Sequence, residues 1–105
     1  MRGVLSLFHF AKLIFDTSLV RFMMRYFVYI LRSKKDGKFY IGTTLNVQSR
    51  LRFHNAGLQR STRYRIPFEL VFTEEYTSKE DALKRERQLK SWKGGSAFKQ
   101  LFEGM

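Results

Sequence analysis

The chain has 105 residues, no cysteine and one proline, and its 20 lysines and arginines against nine acidic residues give a formal charge of +11. That length bounds one domain with one modest core, and an aromatic content of 16% excludes a disordered polyelectrolyte. Without cysteine there are no disulfides and no thiolate metal sites, and a reducing cytoplasm is the expected location.

Residues 1–24 read as an apolar extension outside the functional domain, which is expected over 25–105. Val4, Leu5, Leu7, Phe8, Phe10, Leu13, Ile14 and Phe15 make an apolar run broken by His9 and Lys12. It is shorter than the ~18 residues a membrane span requires. An extra packing helix and a weak membrane anchor are the alternatives. Residues 25–32 form a continuous apolar strand, expected to be buried on both faces. Lys38 to Thr43 form its hairpin partner across Asp36-Gly37, a two-residue turn signal. That turn pairs residues whose numbers sum to 73, so that Tyr40 faces Ser33 and Tyr29 faces Thr44. Alternation then puts Tyr29 and Tyr40 on one face beside Gly42, whereas a three-residue turn would put them on opposite faces.

Asn46 is a suitable N-cap for a helix over about 47–56, and Gly57 suits its C-terminal end. A basic loop follows from Gly57 to Pro67, then a strand over Phe68 to Tyr76. Ser78 with Asp81 opens a helix from 79 to about 92. Gly94-Gly95 breaks that helix, and Ser96 is expected to cap a short last helix through Phe102. The order β-β-α-β-α-α describes an α+β domain with a small antiparallel sheet.

The basic residues are unevenly spread. Between Asp36 and Glu69 there is no acidic residue, while Lys38, Arg50, Arg52, Arg60, Arg63 and Arg65 all fall there. Lys84, Arg85, Arg87, Lys90 and Lys93 form a second cluster around Glu86. A polyanion, nucleic acid foremost, is the expected partner; a merely solvated basic surface or an acidic lipid surface are the alternatives. Arg52, Thr62, Arg63, Arg65, Lys90 and Lys93 are the candidate phosphate contacts.

Arg50 and His54 lie four apart on one helical face. An arginine beside two phenols suits the charge that develops on a phosphodiester during hydrolysis, although a solvated Arg50 and a dipole-stabilising His54 explain the same spacing. Glu86 falls within the apolar stripe of its helix, between Ala82 and Leu89. A carboxylate there requires a partner, either an ion pair with Lys90 or Arg85 or a bound Mg²⁺.

Taken together, Phe27-Val28-Tyr29, Tyr40-Ile41-Gly42, Arg50, His54 and Glu86 resemble the GIY-YIG nuclease superfamily, in its small stand-alone branch. Asn46-x-x-x-Arg50-Leu51-x-x-His54-Asn55-x-Gly57 and the 82–86 and 89–93 segments strengthen the likeness, which covers Arg25 to about Leu101. The resemblance implies a three-stranded antiparallel sheet flanked by helices. It also implies hydrolysis of nucleic-acid phosphodiesters with one Mg²⁺ or Mn²⁺ ion. By position, Tyr29 would take the proton of the attacking water, Tyr40 would orient water or phosphate, Arg50 would stabilise the pentavalent phosphate, Glu86 would hold the metal and His54 would assist. Arg50 and the metal are expected to lower the pKa of Tyr29.

The reading is a DNA endonuclease acting on branched or damaged structures in repair or processing, with DNA favoured over RNA and a protein partner for targeting. A non-catalytic nucleic-acid binder is the alternative. Two positions depart from the family pattern. Phe27 replaces the first motif glycine, and its alternation puts it on the tyrosine face, where it would narrow the site. No asparagine follows Glu86, so the role that some members give one is either absent or taken by another residue such as Lys93.

Overall fold

The computed structural model describes residues 23–103. The expected extension over 1–24 therefore lies almost wholly outside the described residues. Strands β1 (Tyr26–Ser33), β2 (Phe39–Thr44) and β3 (Phe68–Tyr76) and helices α1 (Val47–Asn55), α2 (Lys79–Trp92) and α3 (Ser96–Gln100) follow in the order β1-β2-α1-β3-α2-α3, with a 3₁₀ turn at Arg63–Arg65 between α1 and β3. The strands form one antiparallel sheet in the order β2-β1-β3. The central place of β1 explains its unbroken apolar run, since Val28, Tyr29, Ile30 and Leu31 are all buried.

Alternation along β1 divides the core in two. Val28 and Ile30 pack with Ile41 against Ala82 and Leu89 of α2 and Phe98 of α3. Tyr29 and Leu31 face the other way, with Phe68, Tyr40 and Val47 and Leu51 of α1. The molecule is thus a sheet with α1 on one face and α2 and α3 on the other.

The hairpin register differs from the expected one by two residues. Tyr29 pairs with Gly42 and Leu31 with Tyr40. The loop holds four residues rather than two, because Ser33 and Lys38 are already paired, at 2.8 Å from N–H to carbonyl. Side chains fix this longer turn. Ser33 Oγ accepts from the N–H groups of Lys35 and Asp36, and Asp36 Oδ1 accepts from that of Lys38. Gly37 supplies the one positive φ of the turn, +73°. A slip of two preserves the face of every side chain, so both tyrosines remain on one side.

Helix ends follow local chemistry. Asn46 Oδ1 accepts from Ser49 N–H at 2.9 Å, and Ser78 Oγ from Asp81 N–H at 3.3 Å. At the end of α1, Leu58 N–H reaches the Phe53 carbonyl and Gly57 N–H that of His54, a Schellman motif with Gly57 at φ +73°. The third helix departs from expectation. Gly95 rather than Ser96 is its N-cap, without a side-chain hydrogen bond, and it stops at Gln100. Among the described residues, no helix is long and apolar enough to cross a membrane.

Candidate active site

Tyr29 and Tyr40 emerge on the α1 face of the hairpin, with ring centroids 6.2 Å apart. Gly42 makes room for the first. A Cβ at Gly42 would lie 2.6 Å from Tyr29 Oη and 2.7 Å from its Cζ. The α1 helix brings Arg50 and His54 to the same place from one of its faces. Tyr29 Oη and His54 Nε2 are 3.1 Å apart, and the His54 and Tyr40 rings lie 4.7 Å apart. The four side chains predicted for proton and phosphate chemistry therefore meet, although Tyr29 and His54 are 25 positions apart.

The loop that returns from α1 to β3 closes this cluster. Thr62 Oγ1 lies 3.0 Å from His54 Nδ1, and Gln59 joins two of the other members. Its Oε1 accepts from Arg50 at 3.1 Å and its Nε2 donates to Tyr40 Oη at 3.2 Å. The Arg50 guanidinium also stacks 4.3 Å over the Phe53 ring. Asn55 anchors the loop's far end, with Nδ2 donating to the Phe68 carbonyl and Oδ1 accepting from the Phe68 N–H.

Burial dominates the protonation of the pair at the centre. The Tyr29 phenol is pushed up to about 12 by burial, with Tyr40 adding to the rise. Arg50 opposes this through hydrogen bonding and charge, as expected, but does not overcome it. His54 is pushed down to about 4, by burial and then by the charge of Arg50. At neutral pH the pair is an uncharged phenol beside an uncharged imidazole.

Glu86 stands on the other face. Its Oε1 accepts from Thr43 Oγ1 at 2.8 Å and its Oε2 from Lys90 Nζ at 3.0 Å. Arg85, the other expected partner, pairs instead with Glu74 at 2.8 Å. Thr43 follows Gly42 on β2, so Glu86 is fastened at the edge strand that carries Tyr40. Its charge reaches Tyr29, adding a small upward push to the phenol. Among the described residues no cluster of three or more His, Cys, Asp or Glu side chains could cage a metal. One half-buried carboxylate, steadied by a threonine and already paired with a cation, would suit a hydrated ion that completed its shell with water and phosphate.

The expected nucleic-acid contacts are placed unequally. Arg52, Arg63, Lys90 and Lys93 are exposed. Lys93 sits below its ordinary pKa, first through burial and then through the charges of Arg65 and Lys90. Arg65 is largely occupied inside the fold. It reaches the Phe39 carbonyl at 3.1 Å, pairs with Asp36 at 3.4 Å and lies over the Phe68 ring. Thr62 is 1% exposed, so its hydroxyl serves His54 rather than a phosphate at the surface.

Phe27 lies away from the tyrosine cluster, in an open groove of about 400 Å³ with Leu45, Val47 and Leu70. Sequence reasoning overlooked Gln59 and Thr43 and misjudged the role of Thr62. A residue in an aperiodic loop carries no pattern that announces its partner.

The model of the GIY-YIG catalytic domain matches residues 25–99. A UPF0213 protein of Staphylococcus epidermidis is 40% identical over 83 residues, covering 78% of this chain and all of its own length. One from Natronomonas pharaonis is 45% identical over 67 residues, covering 63% of this chain and 78% of its own. The solution NMR structure of a UPF0213 protein from Bacillus halodurans is 39% identical, covering 71% of this chain and 92% of that one, with a TM-score of 0.38. The family match spans both strands of the hairpin, α1 and the helix bearing Glu86, so the chain belongs to the GIY-YIG catalytic-domain family, within the GIY-YIG nuclease superfamily.

Proposed function

We propose that this protein is a metal-dependent endonuclease that hydrolyses phosphodiester bonds in DNA, on branched or damaged structures, as part of repair or processing in the cytoplasm. The observation that carries the reading is the convergence of Tyr29, Tyr40, Arg50 and His54 in one cluster, with Glu86 fastened to the adjoining edge strand.

The protonation states shape the chemistry. With a pKa of about 12, the Tyr29 phenolate is populated in roughly 1 molecule in 10⁵ at pH 7. The phenol therefore acts as a base by passing its own proton on. As the water oxygen bonds to phosphorus, a water proton moves to Tyr29 Oη and the phenolic proton to His54 Nε2. The bond to the leaving oxygen breaks and its electron pair departs with that oxygen. Charging His54 is opposed by burial and Arg50, and the negative phosphate held by Arg50 offsets that opposition. Tyr40 orients the water or the phosphate, and Arg50 stabilises its growing charge. Glu86, held by Thr43, would bind the divalent ion, which supplies positive charge beside the phosphate. Lys93, Lys90 and Arg63 receive the flanking backbone, and a protein partner supplies targeting.

Supercoiled plasmid, branched DNA and matching RNA, incubated with Mg²⁺ or Mn²⁺, test the reading. Cleavage by wild type that is lost in Glu86→Ala and Arg50→Ala is expected, and equal background-level cleavage by all three would sink it. The Lys90 ammonium on Glu86 favours one rival, a non-catalytic binder whose carboxylate is satisfied without metal. That rival predicts salt-dependent binding with no cleavage of any substrate.

A further inference from the structure

We propose that the 59–62 turn sets opposite hydrogen-bond polarities on the two phenols, Thr62 holding Tyr29 as a lone-pair acceptor toward the substrate and Gln59 holding Tyr40 as a proton donor. The inference rests on the nuclease reading for its purpose, but not for its geometry.

The Tyr29 side begins with a buried hydroxyl. Tyr29 is 1% exposed, and among the described residues His54 Nε2 is the one acceptor within reach of its proton. If Nε2 carried a hydrogen, that buried phenolic O–H would be left without an acceptor. At the other nitrogen, Thr62 Oγ1 lies 3.0 Å from Nδ1 and 3.4 Å from the Gln59 carbonyl. A hydroxyl donating to that carbonyl must accept from Nδ1–H. Both ends of the imidazole thus call for the same tautomer, with Nδ1 protonated and Nε2 bare. Tyr29 then donates to Nε2, and its Oη keeps its lone pairs for accepting, one from Arg50 and one from the attacking water.

Tyr40 is held the other way. A guanidinium has no acceptor, so the Gln59 atom facing Arg50 is Oε1, and the atom facing Tyr40 is the amide nitrogen. Tyr40 Oη accepts from it. Among the described residues no acceptor is recorded for the Tyr40 proton, which remains available to a phosphate or water oxygen. Two phenols of the same chemistry thereby receive complementary tasks. Gln59 and Thr62 are positioning residues, since each acts through another side chain.

The test reads the tautomer and the rate separately on the full ¹⁵N-labelled chain. Nitrogen shifts of His54, told apart from His9 with a His9→Gln variant, should show Nδ1 protonated; protonation at Nε2 overturns the inference without any substitution at the site. Thr62→Val should mix the tautomers and lower kcat by roughly 10²-fold, within the range of general acid–base effects, with KM little changed. Thr62→Ser should restore both. A folded Thr62→Val with wild-type tautomer and rate overturns the Thr62 assignment. Gln59→Glu, which replaces the donor to Tyr40 by an acceptor, should lower kcat similarly; an unchanged rate overturns the Gln59 assignment. If wild type cleaves no nucleic acid, the nuclease reading fails, while the His54 tautomer still decides the polarity of Tyr29.

Discussion

Gly42 shows how little room one position allows. Tyr29 lies across it, and the smallest added side chain would enter its phenol ring. Gly42→Ala is expected to destabilise the fold by about 1–3 kcal/mol through overpacking and to lower cleavage further by moving Tyr29; thermal melts and rate measurements check both. His54 has a readable pH signature. The folded value of about 4 lies below the ordinary 6.5, so the unfolded chain takes the proton first as pH falls. Its contribution is intact above pH 6.5, declines between pH 6.5 and 4, and is on the order of 3 kcal/mol. Denaturant titrations across that window should show stability falling with pH, and His54→Gln should flatten the slope. The sequence identified both residues but not their electrostatics. Spacing placed Arg50 near a phenol, yet the degree of burial, which outweighs Arg50, is decided by the surrounding packing.

Among the elements, the β1–β2 hairpin separates what a sequence conveys from what it withholds. Asp36-Gly37 announced a turn, and its expected register, with the period of two along each strand, put both tyrosines on one face. The number of loop residues depended on Ser33 Oγ gathering two backbone N–H groups, a competition invisible to strand periodicity. Face survived because pairing slips by two are silent to a period of two. Asn55 illustrates a similar gap. It stood in the motif without a role, and the fold uses it as a strand-like clamp on Phe68. Asn55→Asp keeps the acceptor but loses the donor and opposes the Phe68 carbonyl. It should destabilise by about 1–3 kcal/mol, and loosening of the 58–66 loop should appear as faster amide exchange there.

For the molecule as a whole, a charge of +11 with its bases clustered predicts binding dominated by phosphate neutralisation. The logarithm of affinity for a DNA duplex should fall linearly with the logarithm of salt concentration. Arg63→Ala, on an exposed side chain, should reduce that slope by about 1 without altering the melting temperature. Arg65→Ala should lower the melting temperature as well, because that side chain ties the loop to Phe39 and Asp36. Overall architecture was legible from element order and from the resemblance. The loop that completes the tyrosine cluster was not, since its partners are chosen by tertiary approach rather than by neighbours in sequence.

The edge strand β2 is a partition as well as a platform. Tyr40 and Gly42 project to one side of it and Thr43 to the other. The proton-handling groups and the carboxylate are thus separated by the thickness of a single strand and, among the described residues, share no hydrogen-bond partner. In a thermodynamic cycle, changes at Gln59 and at Thr43 should therefore be nearly additive in stability. Whatever coupling remains between the two halves passes through charge, as the push of Glu86 on Tyr29 already indicates. Such a layout lets substitutions tune one half while leaving the other intact.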